Sequence, residues 1–116
     1  MNQAIVMGHL GKDAETKNVG SSTVTTFSLA TSKRWKDKQS GEWKEKTTWH
    51  SIVAWKLSEK NVAALSKGAT VMVIGEIDNR SYEKDGQKRY VTEINANEVK
   101  VLSEGRKSED DDSMPF

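Results

Sequence analysis

The run Thr47-Thr48-Trp49-His50-Ser51-Ile52-Val53-Ala54-Trp55, then Ser58–Lys67, then Thr70-Val71-Met72-Val73-Ile74, decides the architecture of this chain. The first piece is rich in Thr, Trp, Ile and Val, the composition of a strand. Side chains alternate across a strand, so Trp49, Ser51, Val53 and Trp55 share one face and His50, Ile52 and Ala54 the other. The middle piece is the one good helix candidate. Ser58 can cap its start, Val62 and Leu65 fall on one face, and Gly68 can end it. The third piece opens a strand over 70–82, apolar at first and polar after Gly75.

Three more strand-like segments flank this centre. Residues 3–10 are short and apolar and end at Gly11; 22–32 are rich in Thr and Ser around Val24, Phe27 and Leu29; 88–102 alternate loosely through Val91, Ile94, Val99 and Val101. Residues 33–46 are charged and contain Gly41, and read as a long exposed hairpin loop. Asp85-Gly86 marks a second hairpin, because both residues tolerate positive φ. Three strands, a helix and two strands predict an all-β chain: a five-stranded Greek-key barrel of the OB-fold, with one short helix between its third and fourth strands. An SH3-like barrel is the competing architecture, and the position of the helix favours the OB reading.

The 116 residues suffice for one domain, expected over 1–102 and followed by a short linker and tip over 103–116. Mean hydropathy is −0.74 and 30% of residues are charged, so the apolar supply is small and help from neighbouring subunits is plausible. The absence of cysteine excludes disulfides, thiolate metal sites and cysteine nucleophiles, and suits a reducing cytoplasm. No membrane span or secretory leader is visible, and the chain reads as soluble and intracellular. The net charge of +1 divides into −3 over residues 103–116 and +4 over the rest. A basic body with an acidic end suggests two kinds of partner, one of them polyanionic.

The aromatic residues sharpen that suggestion. Trp35 and Trp43 stand among Lys33, Arg34, Lys36, Lys38, Lys44 and Lys46, where no core is at hand to receive an indole. Trp49 and Trp55 share a strand face, and Tyr82 lies near Arg80 and the Asp85-Gly86 turn. Every nucleobase has a π-face, so aromatic rings interleaved with cations suit an unstacked single strand and demand no particular sequence. Trp49, Trp55 and Tyr82 are equally compatible with packing inside a small barrel. Neither His9 nor His50 has Cys, Asp or Glu at metal-ligand spacing, so no metal and no cofactor are expected.

Several stretches resemble the bacterial single-stranded DNA-binding protein family: Ile5-Val6-Met7-Gly8-His9-Leu10-Gly11-Lys12-Asp13, Thr26–Thr31 followed by Trp35-Lys36-Asp37-Lys38, Gly41-Glu42 leading to Lys44–His50, Arg89-Tyr90, and the closing Asp110–Phe116. The resemblance implies base stacking by Trp35, Trp49, Trp55 and Tyr82, with Trp43 as a further ring suggested by its loop alone. It implies basic contacts to phosphates from Lys36, Lys38, Lys44, Lys56, Lys67, Arg80 and Arg89, and places His50 at a subunit interface. It also implies a homotetramer, located in the cytoplasm at the nucleoid.

From Ser103 onward apolar residues vanish until the last three positions, so this piece is expected to be disordered. An acidic run is usually only a solvating tail. Ending one in Met114-Pro115-Phe116 instead suits a pocket with a basic rim and an apolar floor. By resemblance, Asp110, Asp111, Asp112, Met114, Pro115 and Phe116 would dock replication, recombination and repair proteins. Departures from the family pattern are Met114 in place of Ile or Leu, and a linker of only Ser103–Ser108. No convergent carboxylates or activated nucleophile emerge, so an enzyme is not expected. The alternative is an accessory primosomal or RNA-binding OB-fold protein.

Overall fold

The computed structural model describes residues 1–104. Its elements are β1 (Ala4–Leu10), β2 (Glu15–Val19), β3 (Ser22–Lys36), β4 (Trp43–Trp55), α1 (Glu59–Ala64), β5 (Thr70–Lys84) and β6 (Gln87–Ser103). Hydrogen bonding runs β1-β5-β6-β4-β3, and β3 returns to β1, closing a five-stranded barrel with β2 as an extension along β3. All pairings are antiparallel except β4 with β6, which is parallel at Ile52↔Ile94 and Val53↔Asn95. The OB-type barrel expected from the element order is therefore present, with its helix between the strands read from the sequence as third and fourth. In the present count that helix follows β4.

β2 was not expected. Its residues Glu-Thr-Lys-Asn-Val are all exposed, so no alternation of apolar side chains marks it. It pairs with β3 from Glu15↔Thr26 to Val19↔Ser22 across a tight turn in which Gly20 has φ +61°. β1 and β2 follow one another along the same edge of β3, like one strand interrupted at Gly11–Ala14. At the two ends of that gap the amide of Leu10 donates to Ala69 O, and that of Ala14 to Leu65 O. The chain's polar groups are thus satisfied by the segment after α1 rather than by a sheet neighbour.

The expected loop over 33–46 is mostly strand as well. β3 and β4 remain paired as far as Lys36↔Trp43, and the turn itself is only 37–42. Asp37 fixes that turn: its amide donates to Glu42 O at 2.8 Å, its carbonyl accepts from Gly41 N at 2.8 Å, and its carboxylate accepts from Gln39 N at 2.9 Å. Gly41, at φ +74°, takes the left-handed conformation the turn requires. This ribbon projects past the barrel with no core beneath it, so its residues carry no hydrophobic signature. At the β5–β6 hairpin, Asp85 and Gly86 have φ +55° and +76° between the partners Lys84 and Gln87, the geometry their pairing predicted.

The helix is shorter than expected. Ser58 caps it, its hydroxyl accepting from Asn61 N at 3.2 Å, but the helix ends at Ala64 rather than near Lys67. Leu65 leaves the helical conformation and is 1% exposed, buried with Phe27, Leu29, Ile52, Val71 and Val73 in the single core. Burying that side chain is worth roughly 1.5–3 kcal/mol, enough to outweigh one further turn of helix. Gly8 lets β1 approach β3 closely, since a Cβ there would collide with the backbone carbonyl of Ala30.

Candidate nucleic-acid interface

β4 places its aromatic rings by alternation. Even residues His50, Ile52 and Ala54 face inward, while Trp43, Trp49, Ser51 and Trp55 lie on the exposed face. Trp43, Trp49 and Trp55 are 64%, 58% and 50% exposed, and Trp35 and Tyr82 are 39% and 42% exposed. None is consumed in the core. Trp35 opposes Lys44 on β4, whereas Trp43 opposes Lys36 on β3, so the two ribbon indoles stand on opposite faces of their ribbon. The Arg34 guanidinium lies 5.6 Å from the Trp43 ring centre, within cation–π reach.

Between Trp55 and Trp49 runs a continuous groove bounded by β2, β3 and β4 on one side and the β5–β6 arm on the other. Its three adjoining clefts have volumes of about 440, 400 and 200 Å³. Trp55, Val53 and Arg80 line the first, Lys12, Lys17 and Arg80 the second, and Trp49, Ile77 and Thr92 the third. The six-membered ring of Trp49 rests over Gly11: a Cβ on that glycine would stand 2.6 Å from Cη2 and 2.7 Å from Cζ3.

The groove is not the basic trough that the charge balance suggested. Lys12, Lys17 and Arg80 are offset by Asp13, Glu15, Asp78 and Glu93. Arg80 is held by Glu93, its Nε donating to Oε1 at 2.8 Å and its Nη2 to Oε2 at 3.3 Å. This hydrogen bond, and then the charge of Glu93, raise the guanidinium pKa above its already high ordinary range. Beside the pair, Asn95 Nδ2 donates to Asp78 Oδ2 at 3.0 Å.

The remaining expected cations lie elsewhere. Lys36, Lys38 and Lys44 decorate the β3–β4 ribbon, where Lys44 Nζ is 3.7 Å from Asp37 Oδ2. Arg89 opposes Tyr82 on the β5–β6 arm. Lys56 follows Trp55 at φ +58°, and the amide of Lys67 donates to Asp13 Oδ1 at 2.8 Å. The structure brings Trp49, Trp55 and Arg80 to one groove and leaves Trp35, Trp43, Tyr82 and the other cations on its projecting ribbons and bordering loops. His50 is half-buried, its Nε2 2.9 Å from Thr31 Oγ1. Residues 110–116 lie outside the described residues.

Sequence reasoning passed over Tyr90 as a ring in its own right. It is 73% exposed, with Lys88 Nζ 5.8 Å from its ring centre. The alternating Lys88-Arg89-Tyr90 was the available signal. Lys17 was missed because β2 was, and Lys12 lies in the gap just before that strand. Among the described residues, no cluster of three or more His, Cys, Asp or Glu is placed to hold a metal ion, and no helix is long and apolar enough to cross a membrane.

Known proteins share this arrangement. A Plasmodium falciparum SSB solved in complex with ssDNA superposes with a TM-score of 0.76 at 31% identity, covering 89% of this chain and 96% of that one. The single-stranded DNA binding protein from Thermus aquaticus, solved as a deletion mutant, gives a TM-score of 0.74 at 23% identity over 89% of this chain and 51% of that one, a likeness of fold. The model of the single-strand binding protein family matches residues 1–102, the whole barrel with both ribbons. With barrel, ribbons and sequence all matched, the chain belongs to the single-strand binding protein family.

Proposed function

We propose that this chain binds single-stranded DNA without sequence preference, stacking bases on Trp35, Trp49, Trp55 and Tyr82, with Trp43 as an additional ring. The observation that carries this reading is the exposure of all five rings, none below 39%, on a barrel whose core is complete without them. Trp43, Trp49 and Trp55 lie on one face of β4, and large aromatic side chains grouped in this way on a small domain mark an interaction surface. Stacking contributes ~1–3 kcal/mol per base. Lys36, Lys38, Lys44, Lys56, Lys67 and Arg89 would contact phosphates along the rims and Arg80 within the groove, and the contribution of the rim cations must fall with salt. The reading is of a binding protein and not an enzyme, and it requires no cofactor.

Assembly into a homotetramer is part of the proposal. On β1 the outward Ile5 and Met7 are 60% and 57% exposed, and they pair across to Ile74 and Met72 on β5. Such an apolar patch beside the strand edge suits a second copy of the chain, with His50 in or near the contact. Service in replication, recombination and repair, with partner proteins docked by Asp110–Asp112 and Met114–Phe116, is supported by the charge and composition of that tip alone.

The test is intrinsic tryptophan fluorescence titrated with oligo-dT, the matching RNA and a duplex. Strong quenching by the single DNA strand, lost in Trp49→Ala, is expected. Preference for RNA would favour the RNA-binding alternative, and no quenching by any strand would end the stacking mechanism.

A further inference from the structure

Glu93 is the one charged residue that lines all three clefts of the groove, and it is 9% exposed, the most deeply placed charge in the described barrel. A carboxylate sunk into a surface that receives a polyanion opposes the ligand unless something neutralises it. Arg80 does so, through two hydrogen bonds from one edge of its guanidinium. We propose that Glu93 is the resident counter-anion of Arg80: it occupies the edge of the guanidinium that a phosphate would take, and so limits both the affinity of the groove and its response to salt. This inference rests on the single-stranded DNA reading above.

The guanidinium fork matches carboxylate and phosphate alike. The side chain of Arg80 is 57% exposed while that of Glu93 is 11% exposed, so an incoming phosphate can reach the arginine but not approach it unopposed. If phosphate displaces Glu93, a buried carboxylate loses its partner, which is costly, and a solvent cation must then take the place of the arginine. That uptake offsets the cation released from the strand, so the contact adds little to the salt dependence. A purely structural tether is not needed there. The β5–β6 ladder is continuous from Gly75↔Ala96 to Lys84↔Gln87, and its own backbone pairs hold the two strands on both sides of the ion pair.

The experiment measures oligo-dT affinity across a sodium chloride series for the wild-type chain, Glu93→Gln, Arg80→Gln and the double variant. Glu93→Gln keeps the shape and removes the charge. It should bind about fivefold to tenfold more tightly at low salt, with a log–log salt slope steeper by about 0.7, the value of one extra single-strand phosphate contact. Arg80→Gln should bind at least about tenfold more weakly with its slope nearly unchanged, because it strands the carboxylate facing the ligand. The double variant should recover much of that loss, and the steeper slope of Glu93→Gln is the result a structural tether would not give. Wild-type affinity and slope in Glu93→Gln, or a double variant as weak as Arg80→Gln, would overturn the proposal. Should Glu93→Gln fail to fold, Arg80→Gln decides alone: an unchanged slope supports the proposal, and one shallower by about 0.7 overturns it. A wild-type chain that binds no oligo-dT would remove the functional reading itself, a distinct result from the equality of variants.

Discussion

Replacing Gly11 by alanine should weaken single-strand binding while leaving the fold intact. A Cβ at position 11 would lie 2.6–2.7 Å from the outer carbons of the Trp49 ring, where carbon atoms rest comfortably at 3.5–4.0 Å. The ring must therefore retreat by about 1 Å. It can do so cheaply because it is 58% exposed and has solvent on its other side. Stability should change by no more than about 0.5 kcal/mol, as for surface substitutions in general. A base stacked on that ring is worth ~1–3 kcal/mol, and losing the seat should forfeit about 1 kcal/mol, or roughly fivefold in Kd. Fluorescence titration with oligo-dT gives the affinity and a thermal melt gives the stability. Because the effect runs through the ring, Gly11→Ala should add nothing in a Trp49→Ala background. Wild-type affinity in Gly11→Ala, or a loss that persists without Trp49, would refute the reasoning.

Other outcomes follow from the same geometry. Gly8→Ala should destabilise the barrel by about 3 kcal/mol or prevent folding, since its Cβ would collide with the backbone of Ala30 rather than with a movable side chain; a denaturant melt reads this. Gly86→Ala, with φ at +76° but open space around it, should cost only ~1–2 kcal/mol in the same melt. Deleting residues 109–116 should tighten oligo-dT binding at low salt, with the difference vanishing at high salt, because four carboxylates would no longer compete for the cations. Ile5→Glu with Met7→Glu should shift the sedimentation coefficient toward that of a smaller species without unfolding the chain, if these residues form the subunit contact.

The barrel was legible wherever side chains alternate between core and water. Phe27 and Leu29, Ile52 and Ala54, and Val71 and Val73 are inward pairs at a spacing of two, and each marked its strand. Where strands leave the core, that signal stops. β2 and the outer halves of β3 and β4 are held by backbone pairing, turn geometry and polar side-chain contacts with no core beneath them, so their charged residues read as loop. The helix end was misjudged because Gly68 is an apt stop signal, whereas the true stop is the demand of the core for Leu65. The rings could be listed from sequence, but not sorted onto faces of a ribbon whose pairing was unseen. The Arg80–Glu93 pair joins residues thirteen apart whose meeting depends on the register of the β5–β6 hairpin. No local pattern announces it.

One detail of the closure has a mechanical meaning. β1 meets β3 at only His9↔Ala30 and Leu10↔Leu29, and β4 meets β6 at only Ile52↔Ile94 and Val53↔Asn95. The molecule is two leaves, β1-β5-β6 and β2-β3-β4, clasped at two narrow seams. Amides beside those seams should exchange with solvent sooner than those inside either leaf. A polynucleotide lying from Trp49 to the β5–β6 arm would span the clasp and act as a stitch, so occupancy and heat resistance should rise together.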